Sequence, residues 1–139
     1  MNKILLDTDI YSEVLKGVDA NVASRARSYR RAQGVLTISV VTVMEIVRGF
    51  QRKRSTRRLQ DFLAIIAREE VLDFDLAAAE LAGRIAGDLE RLGRPIGVAD
   101  PMIAAIAITR GMALATGNTA HFERVQRLGH PLALVDWRS

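Results

Sequence analysis

Apolar residues come along this chain in short blocks set apart by polar turns, and the blocks are of two kinds. Five are brief and continuous: Lys3–Leu6, Val35–Val41, Val71–Phe74, Met112–Thr116 and Leu132–Val135. They are too short for helices, and the second (VLTISVV) is rich in β-branched residues, so each predicts a strand. The other blocks repeat with helical spacing. Ala78, Leu81, Ala82, Ile85, Leu89 and Leu92 share one face of a helix over 76–92. Further helices are expected over Asp9–Lys16 and Asn21–Ala32, stopped by Gly17 and Gly34, then from Thr42 to Arg54, from Thr56 to Arg68, and over Thr119–Leu128. Pro101–Arg110 is apolar almost throughout and predicts a helix buried on all sides. Strands alternate with helices, and the segments between strands are too long for hairpins. That order implies right-handed βαβ crossovers and a mostly parallel small central sheet flanked by helices. No repeat, linker or low-complexity stretch divides the chain, so residues 1–139 are expected to form a single three-layer α/β domain.

Composition narrows the chemistry. Apolar residues make up 49% and aromatics only 5%, so the core rests on Ala, Val, Ile and Leu. The chain has no cysteine and two histidines, which excludes disulfides, thiolate metal sites and a histidine-rich zinc site. A bound metal would be a hard cation on carboxylate oxygens. No apolar run approaches the ~20 residues that span a bilayer, and residues 1–6 lead straight into a strand without a signal-peptide pattern. A cytoplasmic protein with no membrane partner is expected. The formal charge is +4, with 17 Arg against three Lys, and a basic balance favours a polyanionic partner.

Ligands of an open parallel sheet bind beyond the carboxyl ends of its strands. Asp7 follows the first predicted strand, Glu45 lies one turn into the helix after the second, Asp100 opens the buried helix, and Thr116, Asn118 and His121 follow the fourth strand. Each residue also has a purely structural reading. Thr42-Val-Met-Glu45 is a capping box, Asp100-Pro101 an N-cap with proline at the first helical position, Asp7-Thr-Asp9 a polar helix entry, and Asn118 another cap. Capping needs no convergence, however, and the fold sends three carboxylates to one edge. Gathered there they repel one another unless a divalent cation neutralises them. Such a site suits phosphodiester hydrolysis, with a carboxylate that is not coordinated, Glu45, orienting or deprotonating the attacking water. Two basic clusters are candidates to grip a nucleic-acid backbone: Arg48, Arg52, Lys53, Arg54, Arg57 and Arg58, and Arg25, Arg27, Arg30 and Arg31. A solvated helix face or an acidic protein partner explains them equally. No aromatic platform for base stacking is evident, so recognition would rest on phosphate and shape.

LLDTDIYS at 5–12, SVVTVMEIVRGF at 39–50, RPIGVADPMIAAIAI at 94–108 and LATGNTAHFERV at 114–125 together resemble a PIN domain, specifically a VapC-type toxin of a bacterial or archaeal toxin–antitoxin pair. Their order and spacing cover nearly the whole chain. The resemblance implies a metal-dependent endoribonuclease acting on RNA, several relatives cutting structured RNAs such as tRNA. It implies magnesium, with manganese possible, held by an acidic core of Asp7, Glu45 and Asp100, of which Asp7 and Asp100 are the direct ligands. Thr116 and Asn118 match a polar pair that shapes the family's site. A homodimer and a VapB-type antitoxin that fills or blocks the acidic cleft are also implied. One position departs from the pattern: His121 stands where the family commonly has a fourth acid. Imidazole is a poorer ligand for magnesium than for manganese or zinc, so a second metal would bind weakly or not at all, or manganese would be preferred, or His121 would contact the phosphate or act as an acid or base, or it would be a bystander pointing into solvent.

Two rivals remain on sequence grounds. One is the same fold with its chemistry impaired at His121, binding RNA or antitoxin only. The other is a phosphoryl-transfer enzyme of the haloacid dehalogenase type, since Asp7-Thr-Asp9 after an apolar strand fits its nucleophile. That chemistry needs a downstream lysine, and Lys3, Lys16 and Lys53 are poorly placed for it.

Overall fold

The computed structural model describes residues 2–139, so Met1, at the head of the expected domain, lies outside the described part. Five strands and seven helices among the described residues follow the predicted order. They are β1 (Ile4–Leu6), α1 (Thr8–Lys16), α2 (Ala20–Gln33), β2 (Thr37–Ser39), α3 (Val40–Arg52), α4 (Thr56–Ile66) and β3 (Glu70–Leu72), then α5 (Leu76–Arg91), α6 (Ala99–Thr109), β4 (Ala113–Ala115), α7 (Thr119–Arg127) and β5 (Leu134–Val135).

Every strand pairing is parallel. β4 lies between β1 and β5, with Leu5 opposite Leu114 and Leu114 opposite Leu134; β2 pairs with β3, with Ile38 opposite Val71. β2 runs beside β1 without ladder bonds between them, so the two ladders share one layer. Alternation along the strands then makes two cores. Leu5 and Leu114 point into one with Ile85, Leu89, Ile103, Ile106 and Phe122, while Leu6 and Ala115 point into the other with Ile10, Tyr11, Tyr29, Phe62 and Trp137. Helices α5, α6 and α7 cover the first face and α1, α2 and α4 the second. The result is a three-layer α/β arrangement.

Several boundaries differ from expectation by one or two residues, and two of them have a clear cause. The second strand, predicted over Val35–Val41, is only Thr37–Ser39, because the Ser39 hydroxyl accepts from the Thr42 backbone N–H at 3.3 Å and starts α3 at Val40. A single N-cap thus overrides the β-propensity of Val40 and Val41. Leu92, expected on the buried face of α5, is 54% exposed, because the helix ends one residue before it. Helix α6 is buried from Ile103 to Ala107, as its apolar run requires. No helix among the described residues is long and apolar enough to cross a membrane.

Candidate active site

Parallel pairing of β1 with β4 brings their carboxyl ends to the same edge, where Asp7 and Thr116 are the first residues beyond the strands. The Asp7 backbone N–H continues the ladder by donating to the Ala115 carbonyl at 3.0 Å. Asp7 is only 4% exposed. Its Oδ1 accepts from the Ile10 backbone N–H at 2.9 Å, so it caps α1 as the helix-entry reading held, and its Oδ2 accepts from the Thr116 hydroxyl. Thr116 Oγ1 in turn accepts from the Asn118 backbone N–H at 2.9 Å. The Asn118 amide then reaches Asp100 Oδ2 at 3.3 Å, which also lies 3.0 Å from His121 Nδ1. Five of the six sequence candidates are therefore joined in one chain: Asp7, Thr116, Asn118, Asp100 and His121.

The sixth, Glu45, enters from α3. Its Oε1 accepts from the hydroxyl of Thr8, and Thr8 also lies 3.1 Å from Thr42 Oγ1. Thr8 follows Asp7 directly, so Glu45 meets the chain of five at its Asp7 end. Three capping readings fail here. Ser39, not Thr42, caps α3, so Glu45 closes no capping box. Asp100 lies inside the first turn of α6, where Val98 is the N-cap and no side-chain cap is made. Asn118 occupies the N-cap position of α7 but spends its amide on Asp100 and His121. Two of the three carboxylates are thus free of the helix-capping duty that would otherwise explain them.

Electrostatics bear the mark of crowding. Burial, with the negative charges of Asp9 and Asp100 nearby, pushes the Asp7 carboxyl up to about 7, against the hydrogen bonds from Thr116 and Ile10. Asp100 is also raised, chiefly by burial, although His121 beside it pulls the other way. His121 Nδ1 lies 2.8 Å from the Asn118 amide as well as 3.0 Å from Asp100. It accepts from Asn118 only when unprotonated and donates to Asp100 only when it carries the proton, so the two hydrogen bonds alternate. No three His, Asp or Glu side chains among the described residues form a cage close enough for a metal. Magnesium needs only one or two direct carboxylates and keeps water elsewhere, so hard carboxylate oxygens on the buried Asp7 and the half-buried Asp100 still fit it.

Sequence reading missed three features. Thr8 is the link between Glu45 and the rest. Asp9, exposed on α1, is the further negative charge felt by both Asp7 and Asp100, and the repeated acid in Asp7-Thr-Asp9 was its signal. Arg138 could not have been found from spacing. Its guanidinium pairs with Glu13 and lies against Gly117, where a Cβ would collide with it, between the two polar residues that hold Asp7 and Asp100. Two of the four arginines in the α2 cluster, Arg25 and Arg30, are engaged with distant parts of the chain. Arg30 forks onto Glu69 at 2.8 and 3.0 Å, and that carboxylate, 1% exposed, also accepts from Tyr11 and the Leu36 backbone N–H. Arg25 holds the Ser139 carbonyl at 3.1 Å. From Thr8 and Glu45 a cleft of roughly 670 Å³ runs between α1, α3 and α4 over Leu15, Ile46, Phe50, Phe62 and Ile65 to Lys53 and Arg58.

Comparison with known proteins gives a consistent result. Residues 4–128 match the PIN domain. The tRNA(fMet)-specific endonuclease VapC of Shigella flexneri is 40% identical over 126 residues, covering 90% of this chain and 93% of that protein. Its namesake from Salmonella typhimurium is 34% identical over 99% of both chains. Among solved structures, DNA-bound VapBC from Salmonella typhimurium superposes with a TM-score of 0.80 at 32% identity over 99% of both chains. VapBC2 from Rickettsia felis, bound to a DNA fragment from its promoter, gives a TM-score of 0.80 at 25% identity over 96% of this chain and 98% of that one.

Proposed function

This chain belongs to the PIN-domain family, and on that premise we propose that it is the ribonuclease toxin of a toxin–antitoxin pair, cutting RNA by metal-dependent hydrolysis at the Asp7–Asp100 edge. The observation that carries the reading is the chain of hydrogen bonds from the buried Asp7 through Thr116 and Asn118 to the half-buried Asp100, with Glu45 attached through Thr8. Two carboxylates held there without capping duty are explained by a cation and by little else.

Asp7 and Asp100, with Glu45 beside them, are the residues to hold that cation, and magnesium is the choice their hard oxygens favour, manganese being also acceptable. When bound, it neutralises phosphoryl charge and acidifies water. The protein's own groups do the rest. Thr116 orients Asp7 through Oδ2, and Asn118 orients Asp100 through its amide. Glu45 keeps Oε1 on Thr8, while its other oxygen, free of hydrogen bonds among the described residues, is placed to orient or deprotonate the attacking water. His121, with Nδ1 3.0 Å from Asp100 Oδ2, is placed to contact the substrate phosphate.

Relatives named for tRNA(fMet) make that tRNA the first substrate to test. The antitoxin belongs in the apolar cleft between α1, α3 and α4, whose inner end is Thr8 and Glu45, so an occupant there blocks the acidic edge. We place the toxin in the cytoplasm as a homodimer, with residues 1–139 acting as one PIN domain.

The test is incubation of total cellular RNA with purified protein, wild type beside Asp7→Asn, under EDTA, magnesium or manganese. Discrete fragments that require metal and vanish in the variant are expected, and their ends identify the target. A second reading is favoured by one observation, the engagement of Asp100 by a histidine instead of a fourth acid. Binding of RNA or antitoxin without cleavage under any metal would establish that reading, a site that has lost its chemistry.

A further inference from the structure

Six cations cluster where α3 turns into α4: Arg48, Arg52, Lys53, Arg54, Arg57 and Arg58, all exposed. Their behaviour separates them from most other arginines of the chain. Arg30, Arg84, Arg91 and Arg138 are in ion pairs, and Arg25 and Arg124 hold backbone carbonyls. Among the described residues, none of the six makes an ion pair or a side-chain hydrogen bond. The fold gains little from them, and at three positions it is worse off for having them. Arg54 has φ +54°, a left-handed conformation that costs a residue with a Cβ and suits glycine. Arg57 and Arg58 sit in the first turn of α4, at the positive end of its dipole, with no acidic residue there and no side-chain cap from Ser55. Cations that do not pair, and that sit where the chain is better served by glycine or an acid, are kept for something outside the chain.

Their position says what. Arg48 and Arg52 follow Glu45 at three and seven residues along α3, which sets all three on one helix face. The basic corner is therefore continuous with the acidic edge, and Lys53 and Arg58 line the far end of the cleft that starts at Glu45. We propose that this α3–α4 corner is a docking surface for the RNA backbone. It grips phosphates of the substrate at a distance from the cut bond and so presents a folded RNA to the acidic edge in one orientation. The proposal rests on the ribonuclease reading for its partner. It needs no base recognition, in keeping with a corner that offers cations and no exposed aromatic ring.

The experiment measures binding of a purified bulk tRNA pool over a series of salt concentrations. All proteins carry Asp7→Asn, so cleavage does not intervene. Neutralising three cations together (Arg52→Gln, Arg54→Gln, Arg57→Gln) should weaken affinity by roughly tenfold and lower the slope of log affinity against log salt by about one for each phosphate no longer gripped. A control with the same charge removed elsewhere (Arg27→Gln, Arg84→Gln, Arg91→Gln) should keep the slope. Two single variants separate function from structure: Arg54→Gly and Arg57→Glu should each raise the melting temperature while weakening RNA binding. Equal effects of the triple variant and its control would overturn the proposal, leaving only general charge. So would an unchanged slope in the triple variant, and a loss confined to antitoxin binding would reassign the corner to an acidic protein. Failure of the unsubstituted protein to cleave RNA would sink the ribonuclease reading without touching this measurement.

Discussion

At the scale of single residues, Asp7 is the group on which most depends. Its carboxyl is pushed up to about 7 in the fold, against an unfolded value of about 3.9. Between those values the folded, metal-free protein holds a proton that the unfolded chain has released. Stability from this group is therefore fully present below about pH 4 and is lost as pH rises towards 7, by at most about 1.4 kcal/mol per unit. Asp7→Asn keeps an acceptor for the Ile10 backbone N–H, reverses the bond to Thr116, whose hydroxyl must then accept, and removes the titration. In EDTA it should flatten this fall and leave the variant more stable than the parent at about pH 8, as read by melting temperature across pH. A variant less stable than the parent there would mean that the charged carboxylate supports the fold. His121 gives the complementary case. His121→Asp adds a further carboxylate beside Asp100, so the metal-free protein should melt earlier at neutral pH and the magnesium needed for thermal stabilisation should fall. An unchanged magnesium midpoint would show that this position does not face the cation.

Secondary-structure elements set the residues in place, and α3 shows how closely cap and site are related. Ser39 starts the helix, while Thr42, one turn on, points to Thr8 and shares it with Glu45. Ser39→Ala should cost about 1 kcal/mol in chemical denaturation and leave metal-dependent cleavage largely in place. Thr42→Val should do the reverse, with little loss of stability and roughly a 10- to 100-fold loss of cleavage through a loosened Thr8 and Glu45. Matching losses of stability from both substitutions would return Thr42 to the role of a cap. Sequence alone could not separate these residues. Ser39 and Thr42 are both good N-caps, and only the backbone direction at the end of β2 decides which is used. The loop after β4 follows the same rule. Thr116 and Asn118 were recognisable, but the glycine between them makes room for Arg138, which arrives from the far end of the chain.

For the molecule as a whole, the sequence by itself determined the order of elements, the parallel sheet and the two-sided cover of helices. Hydrophobic periodicity is a local property, and short apolar strands separated by long helical segments admit few topologies. It also determined at which edge the candidate site residues gather, because parallel strands send all their carboxyl ends one way. Asp7 and Thr116 were legible on that ground, since each directly follows a strand. Tertiary structure alone decided how the edge is wired: that Thr8 and not a capping box receives Glu45, that Asp100 answers to Asn118 and His121, and that Asp9 adds its charge. It alone sorted the arginines too, setting Arg30 on Glu69 and leaving the cations of the α3–α4 corner without side-chain partners among the described residues. The physical reason is common to all of these. A backbone pattern repeats within a few residues and can be read along the chain, whereas a hydrogen bond or ion pair depends on what packing brings opposite it. In this chain the deciding partners lie as far apart as Asp7 and Thr116, or Glu13 and Arg138.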